Sequence, residues 1–189
     1  MRNLTIKKPN KIKDTKLYNL ILPPFILITF IPWFAILSLI GNFIIDSLVL
    51  LIISFVVFKK MDWTFYGNTI FKVWLLGFAS DFIGVIFLLI AYFIASPERY
   101  YQGVDIGVLK EISNGFWLAM NGGSALESIW SFLYILSGII VAAIAIFIFD
   151  YFISFRKSSL TKKQKLVSAF IYAVFTAPYT FFLPESLFR

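Results

Sequence analysis

The 189-residue chain is 60% hydrophobic and 20% aromatic, with 14% charged residues. A soluble domain has roughly 45–50% apolar and about 25% charged residues, so this composition, gathered into blocks, excludes an ordinary globular core. The absence of Cys and His excludes disulfides, thiol catalysis and imidazole bases, and speaks against zinc and haem sites; the net charge of +7 sits in short loops beside apolar runs, which fits membrane topology and anionic headgroups rather than nucleic acid.

Residues 1–17 carry Arg2, Lys7, Lys8, Lys11, Lys13 and Lys16 against Asp14 and read as a basic cytoplasmic tail. The apolar run that follows is too long for a signal peptide and lacks a small-residue cleavage site. Residues 17–58 contain one charge, Asp46. That length exceeds one span of ~20 residues and suits two. The break is expected at Leu39-Ile40-Gly41-Asn42, because Gly and Asn favour turns. The first helix would begin near Pro23-Pro24, where proline is tolerated, and would kink at Pro32. The second would run from Asn42 to Phe58 and stop at Lys59-Lys60. A loop over residues 59–72 follows, with Trp63, Phe65 and Tyr66 suited to the membrane interface. The third helix is expected over residues 70–95, so residues 18–95 hold the first three transmembrane helices.

Residues 96–124 form an extracytoplasmic loop bounded by Ser96-Pro97-Glu98-Arg99 and Asn121-Gly122-Gly123-Ser124. Inside it Val108, Ile112, Phe116 and Ala119 fall at helical spacing, with Lys110, Glu111 and Asn114 off that stripe. This pattern predicts a short amphipathic helix on the outer membrane surface; a structureless loop is the alternative. Residues 125–189 hold the last two spans. One covers about 125–154, with Gly138, Ala142 and Ala145 as a small-residue packing stripe. The other covers about 166–184, with Pro178 near its middle and Pro184 at its end.

With five spans, fourteen of the seventeen basic residues fall on the side of the N-terminal tail. The positive-inside rule then puts the N-terminus in the cytoplasm and the C-terminus outside. The expected fold is an all-α, polytopic integral membrane bundle of five transmembrane helices, N-in and C-out, in the cytoplasmic membrane.

The stretch Gly77-Phe78-Ala79-Ser80-Asp81-Phe82-Ile83-Gly84 stands out. Gly77, Ser80, Asp81 and Gly84 share one helical face, at i, i+3, i+4 and i+7. Three are small, which suits close helix–helix contact in lipid, and the fourth is an acid at membrane depth, which is costly and calls for a reason. Of the other acids in or near spans, Glu127, Asp150 and Glu185 read as interfacial. Asp46 and Asp81 have no basic residue in any span to pair with. Each is expected to be protonated, to bind a cation, to share a proton with another acid, or to face a water-filled cavity. Asn42 lies one turn before Asp46, within reach of it, and Ser47 and Ser80 adjoin the two acids.

Gly41-Asn42-Phe43-Ile44-Ile45-Asp46 and Phe78-Ala79-Ser80-Asp81-Phe82-Ile83 resemble the two Asp motifs of lipoprotein signal peptidases over about a dozen residues. The first motif is out of register by one and lacks the Arg after its Asp. The second lacks the Asn of that family, and five spans depart from the family's four. The resemblance implies a dyad in which Asp46 and Asp81 share a proton and activate water.

The leading functional class is a small transporter-like or channel-like protein, or the membrane subunit of a larger complex. Asp81, Asp46, Asn42 and Ser80 form its polar site, and a proton or monovalent cation is its ligand. An intramembrane aspartate-dependent hydrolase is the second class. A structural or immunity-type protein, whose acids only join helices, is the third. The lipid bilayer is the necessary partner, and a homo-oligomer or a membrane-complex partner suits so small a chain. No cofactor, metal or nucleic acid is expected.

Overall fold

The computed structural model describes residues 32–95, 107–121 and 124–183. The basic tail, the start of the expected first helix, Ser96 to Arg99, Gly122-Gly123 and the chain end after Leu183 lie outside the described residues. Five α-helices follow in order: α1 (Pro32–Phe58), α2 (Trp63–Ile94), α3 (Val108–Met120), α4 (Ile129–Phe149) and α5 (Lys162–Thr176). A π-helical turn, Asp150–Ser154, extends α4, and a 3-10 turn, Tyr179–Phe182, follows α5. Among the described residues four segments are long and apolar enough to cross a membrane: Leu39–Phe58, Trp63–Ile94, Ile129–Ser154 and Lys162–Phe182.

Side-chain placement supports that reading. Large apolar residues such as Ile52, Phe82, Phe93 and Phe170 stand on the outer surface. Ser54, Ser80, Ser131, Ser154 and Ser168 are buried inside, with the acids Asp46 and Asp150. A surface of this kind needs lipid against it, and an interior of this kind gathers the polar groups that lipid would penalise.

Two expectations about boundaries are corrected. The break at Leu39 to Asn42 does not occur, because α1 runs unbroken through Gly41 and Asn42. A lipid-exposed break would leave backbone N–H and C=O groups unsatisfied, a cost that outweighs the turn preference of these two residues. The expected kink at Pro32 falls at the edge of the described residues, because the residues before it lie outside them. Pro178 ends α5 instead of bending it. The helix stops at Thr176, and Ala177 is extended at φ −55°, ψ 148°, as a residue before proline prefers.

Two helix starts come earlier than expected because of caps. The Asp62 carboxylate accepts from the Phe65 N–H at 2.9 Å, so α2 begins at Trp63 and the loop shrinks to Lys59–Asp62. Thr161 and Gln164 form a reciprocal capping box, so α5 begins at Lys162.

The α1–α2 and α4–α5 connections lie at the same end of the bundle. The Phe65 and Phe155 rings stack there at 6.1 Å. Lys59, Lys60, Lys72, Arg156, Lys157, Lys162, Lys163 and Lys165 belong to this end, against Lys110 at the other among the described residues.

At that other end α3 docks on α4. Ser131 Oγ donates to the Gly115 carbonyl at 2.8 Å, and Ser113 Oγ donates to the Ala95 carbonyl at 2.8 Å. The face α3 buries is Ser113, Gly115, Ala119 and Met120, while Val108 is exposed. The helix exists where its spacing predicts it. It packs by a close approach at Gly115, whose Cβ position is filled by Trp130 and Ser131, and Phe116 and Ala119 of the expected stripe turn toward the bundle.

Tyr134 locks α4 to α2. It is buried, its hydroxyl donates to the Leu88 carbonyl at 2.6 Å, and Phe116 packs on its ring at 4.3 Å. A Tyr134→Phe variant is expected to lose about 1 kcal/mol, the net worth of one such bond. A lowered thermal unfolding midpoint in detergent checks this.

Candidate functional site

The site lies in the half of the bundle nearer the basic end, where α1, α2, α5 and the π-turn after α4 share one buried cluster. Leu50, Val73, Ile146 and Tyr172 are among its members. Asp46 projects from α1 into this interior and is 5% exposed. Gly77 of α2 makes room for it: a Cβ on Gly77 would stand 3.8 Å from Asp46 Oδ2. Tyr172 of α5 is fully buried. Its hydroxyl lies near Asp46 and is buried without a hydrogen-bond partner among the described residues.

Two further carboxyls lie within electrostatic range of Asp46. Asp81, from α2, is one, and its Oδ1 is buried without a hydrogen-bond partner. Asp150, from the π-turn, is the other. It is 1% exposed, accepts from Ser154 Oγ at 2.7 Å through Oδ1, and leaves Oδ2 buried and unpartnered. Among the described residues no Lys or Arg stands against any of the three. Asp46 and Asp150 thus stand within electrostatic range of one buried tyrosine from α5, and Asp81 within range of Asp46, with no cation among the described residues to balance them. Among the described residues no group of three or more Asp, Glu, His or Cys is close enough to hold a metal ion.

The other sequence-selected residues take varied positions. Asn42 is half-buried and makes no hydrogen bond to Asp46. Ser80 is fully buried but spends its hydroxyl on the Leu76 carbonyl at 2.8 Å, a bond within its own helix. Ser47 accepts from the Tyr66 hydroxyl at 3.1 Å. Glu127 accepts from the Ser124 N–H at 2.8 Å, just before α4. Glu185 lies outside the described residues. Gly84 and Gly138 sit at the α2–α4 crossing. A Cβ on Gly84 would stand 2.9 Å from the Gly138 carbonyl oxygen and 3.0 Å from Ala142 Cβ, and one on Gly138 would meet Leu88 at 2.6 Å. Ala142 is buried in this contact, and Ala145 is half-buried.

Asp150, Ser154 and Tyr172 are the residues that sequence reasoning passed over. Proximity to Arg156 and Lys157 made Asp150 look interfacial. The i, i+4 spacing of Asp150 and Ser154 was the available signal. The π-turn that carries them, closed by the Phe155 N–H on the Asp150 carbonyl at 2.8 Å, has no sequence signature. Such turns are frequent at functional sites.

Comparison with protein families, curated proteins and solved structures finds no match for the chain. What the fold defines is an all-helical chain with four candidate membrane-spanning helices among the described residues, the architecture of a multi-pass membrane protein.

Proposed function

We propose that this is a small multi-pass protein of the cytoplasmic membrane that moves a proton or monovalent cation. It works alone, as a homo-oligomer, or as the membrane subunit of a larger complex. In this reading the span that precedes α1 brings the total to five. The basic end faces the cytoplasm, with the N-terminus inside and the C-terminus outside. Asp46 and Asp81 are the ion-carrying groups, with Asp150 as a third.

One observation carries the reading: Asp46 and Asp150 are buried within electrostatic range of Tyr172, Asp81 lies within range of Asp46, and no described Lys or Arg stands against them. Intramembrane carboxylates are expensive and mark ion and proton pathways. Unpartnered oxygens such as Asp81 Oδ1 and Asp150 Oδ2 fit groups that exchange a ligand better than groups that join helices.

The test is proton and cation flux in proteoliposomes, wild type beside Asp81→Asn, both shown to be folded. Flux is expected in the wild type and is expected to fall by about 100-fold in the variant, the range of a positioned proton-transfer group. Equal flux in both would return Asp81 to a packing role, as the structural class requires.

A further inference from the structure

A groove of ≈ 440 Å³ opens at the basic end, between the start of α2 and the α4–α5 connection. Its walls include Asp62, Asn68, Thr69, Lys72, Ser154 and Lys157. Ser154 is 2% exposed and belongs to both environments: it lines the groove, and its hydroxyl donates to Asp150 Oδ1 at 2.7 Å. A serine hydroxyl has one donor and two acceptor lone pairs. While donating inward to Asp150 it retains the capacity to accept outward from a water in the groove.

We propose that this groove is an aqueous vestibule through which protons, rather than metal cations, reach Asp150 by way of the Ser154 hydroxyl. The inference rests on the reading of the buried acids as ion-carrying groups, and it names the ion and the door. The step balances without a further reactant. A protonated water in the groove gives a proton to Ser154 Oγ as the serine's own proton passes to Asp150 Oδ1. One O–H bond breaks on the water and one forms on the serine, while the serine's first O–H bond breaks and one forms on the carboxyl. The serine is left as it began, with its hydroxyl turned, and Asp150 is neutral.

Two features favour the proton. Asp62 is the one acid on the walls among the described residues, and its Oδ1 is engaged by the Phe65 N–H. Asp150 itself does not line the groove and is reached from it through the Ser154 hydroxyl, so a metal cation would have to pass a single bridging oxygen. A proton passes it by bond exchange.

The absence of Cys in the chain makes the test clean, because Ser154→Cys introduces the only thiol. In full-length protein the thiol is challenged with a negatively charged, membrane-impermeant methanethiosulfonate. Lys60→Cys serves as the exposed reference and Ser168→Cys as the buried one, since Ser168 is 1% exposed. Ser154→Cys is expected to react, and Ser168→Cys to stay inert over the same time. A Ser154 thiol as inert as that of Ser168, in a variant shown to be folded, overturns the vestibule. If Ser154→Cys does not fold, Thr69→Cys on the groove wall takes its place.

In proteoliposomes, modification of Ser154→Cys is expected to cut proton flux by about tenfold or more, at the low end for loss of a positioned proton-transfer group. Modification of Lys60→Cys is expected to leave it unchanged. Undiminished flux through fully modified Ser154→Cys overturns the path while leaving the acids as ion carriers. A wild type that passes Na⁺ or K⁺ as readily as protons overturns the choice of ion. A wild type that moves no ion overturns the path together with the function on which it rests.

Discussion

A Gly84→Val variant is expected to lose about 3 kcal/mol or more, at or beyond the upper end of typical overpacking costs, and to fail to hold α2 against α4. The reason is the nature of the nearest neighbour. A Cβ at Gly84 would meet the Gly138 carbonyl oxygen at 2.9 Å and Ala142 Cβ at 3.0 Å. A backbone oxygen has no rotamer to change, so the helices must part. Parting them strains the bond from the Tyr134 hydroxyl to the Leu88 carbonyl and opens the small-residue contact that gives membrane helices their dispersion energy. Gly138→Ala should cost less, because the atoms in its way belong to the Leu88 side chain, which has other rotamers. Gly41→Ala should cost nothing measurable, since nothing stands within 4 Å of its Cβ position. Thermal unfolding midpoints in one detergent check the order Gly84→Val, Gly138→Ala, Gly41→Ala, and a Gly84→Val midpoint equal to wild type would refute the close crossing.

Asp46→Asn is expected to abolish ion movement, by about 100-fold or more, without lowering the unfolding midpoint. The pairing of those two results is what separates function from packing. Asp46 is 5% exposed, lies against Gly77 and has two other acids in electrostatic range. An amide of nearly the same volume fits the same space, brings its own donors toward the Tyr172 hydroxyl, and removes a group that must bear or shed a charge in a poor solvent for charge. A residue kept for stability would show the reverse, with a lower midpoint and unchanged flux.

The membrane character was legible because the bilayer imposes its length and polarity on the sequence directly. Blocks of apolar residues bounded by Lys59-Lys60 and by Arg156-Lys157 leave little choice about where α1 and α4 end. The breaks inside an apolar block were not legible. Gly41-Asn42 would turn a chain in water, where freed backbone groups find partners, and does not turn it in α1. The polar site was half legible. Asp46 and Asp81 stand out because no Lys or Arg lies between residues 17 and 58 or between residues 73 and 98, and that argument needs no structure. Asp150 was hidden by Arg156 and Lys157, which are close in sequence yet exposed, while the acid itself is buried. Tyr172 was hidden among the other aromatics of an aromatic-rich chain. Its place opposite Asp46 depends on how α5 rotates about its own axis, and that is fixed by contacts with α1 and α4.

The short connection between α1 and α2 ties the site to the thickness of the surrounding bilayer. Lys59–Asp62 can bridge no more than about 18 Å between the helix ends. The Asp62 N–H also donates to Ser54 Oγ at 3.0 Å, and the Trp74 indole donates to the Leu39 carbonyl at 3.3 Å, so the pair is fastened at several points. With 32 residues, α2 is about 48 Å long, well beyond the ~30 Å hydrocarbon layer. It therefore leans or protrudes, and α1 leans with it. A thicker bilayer stands the pair upright and a thinner one lays it down. Asp46 and Gly77 move as one body in either case, so the lipid sets how deep the acids sit.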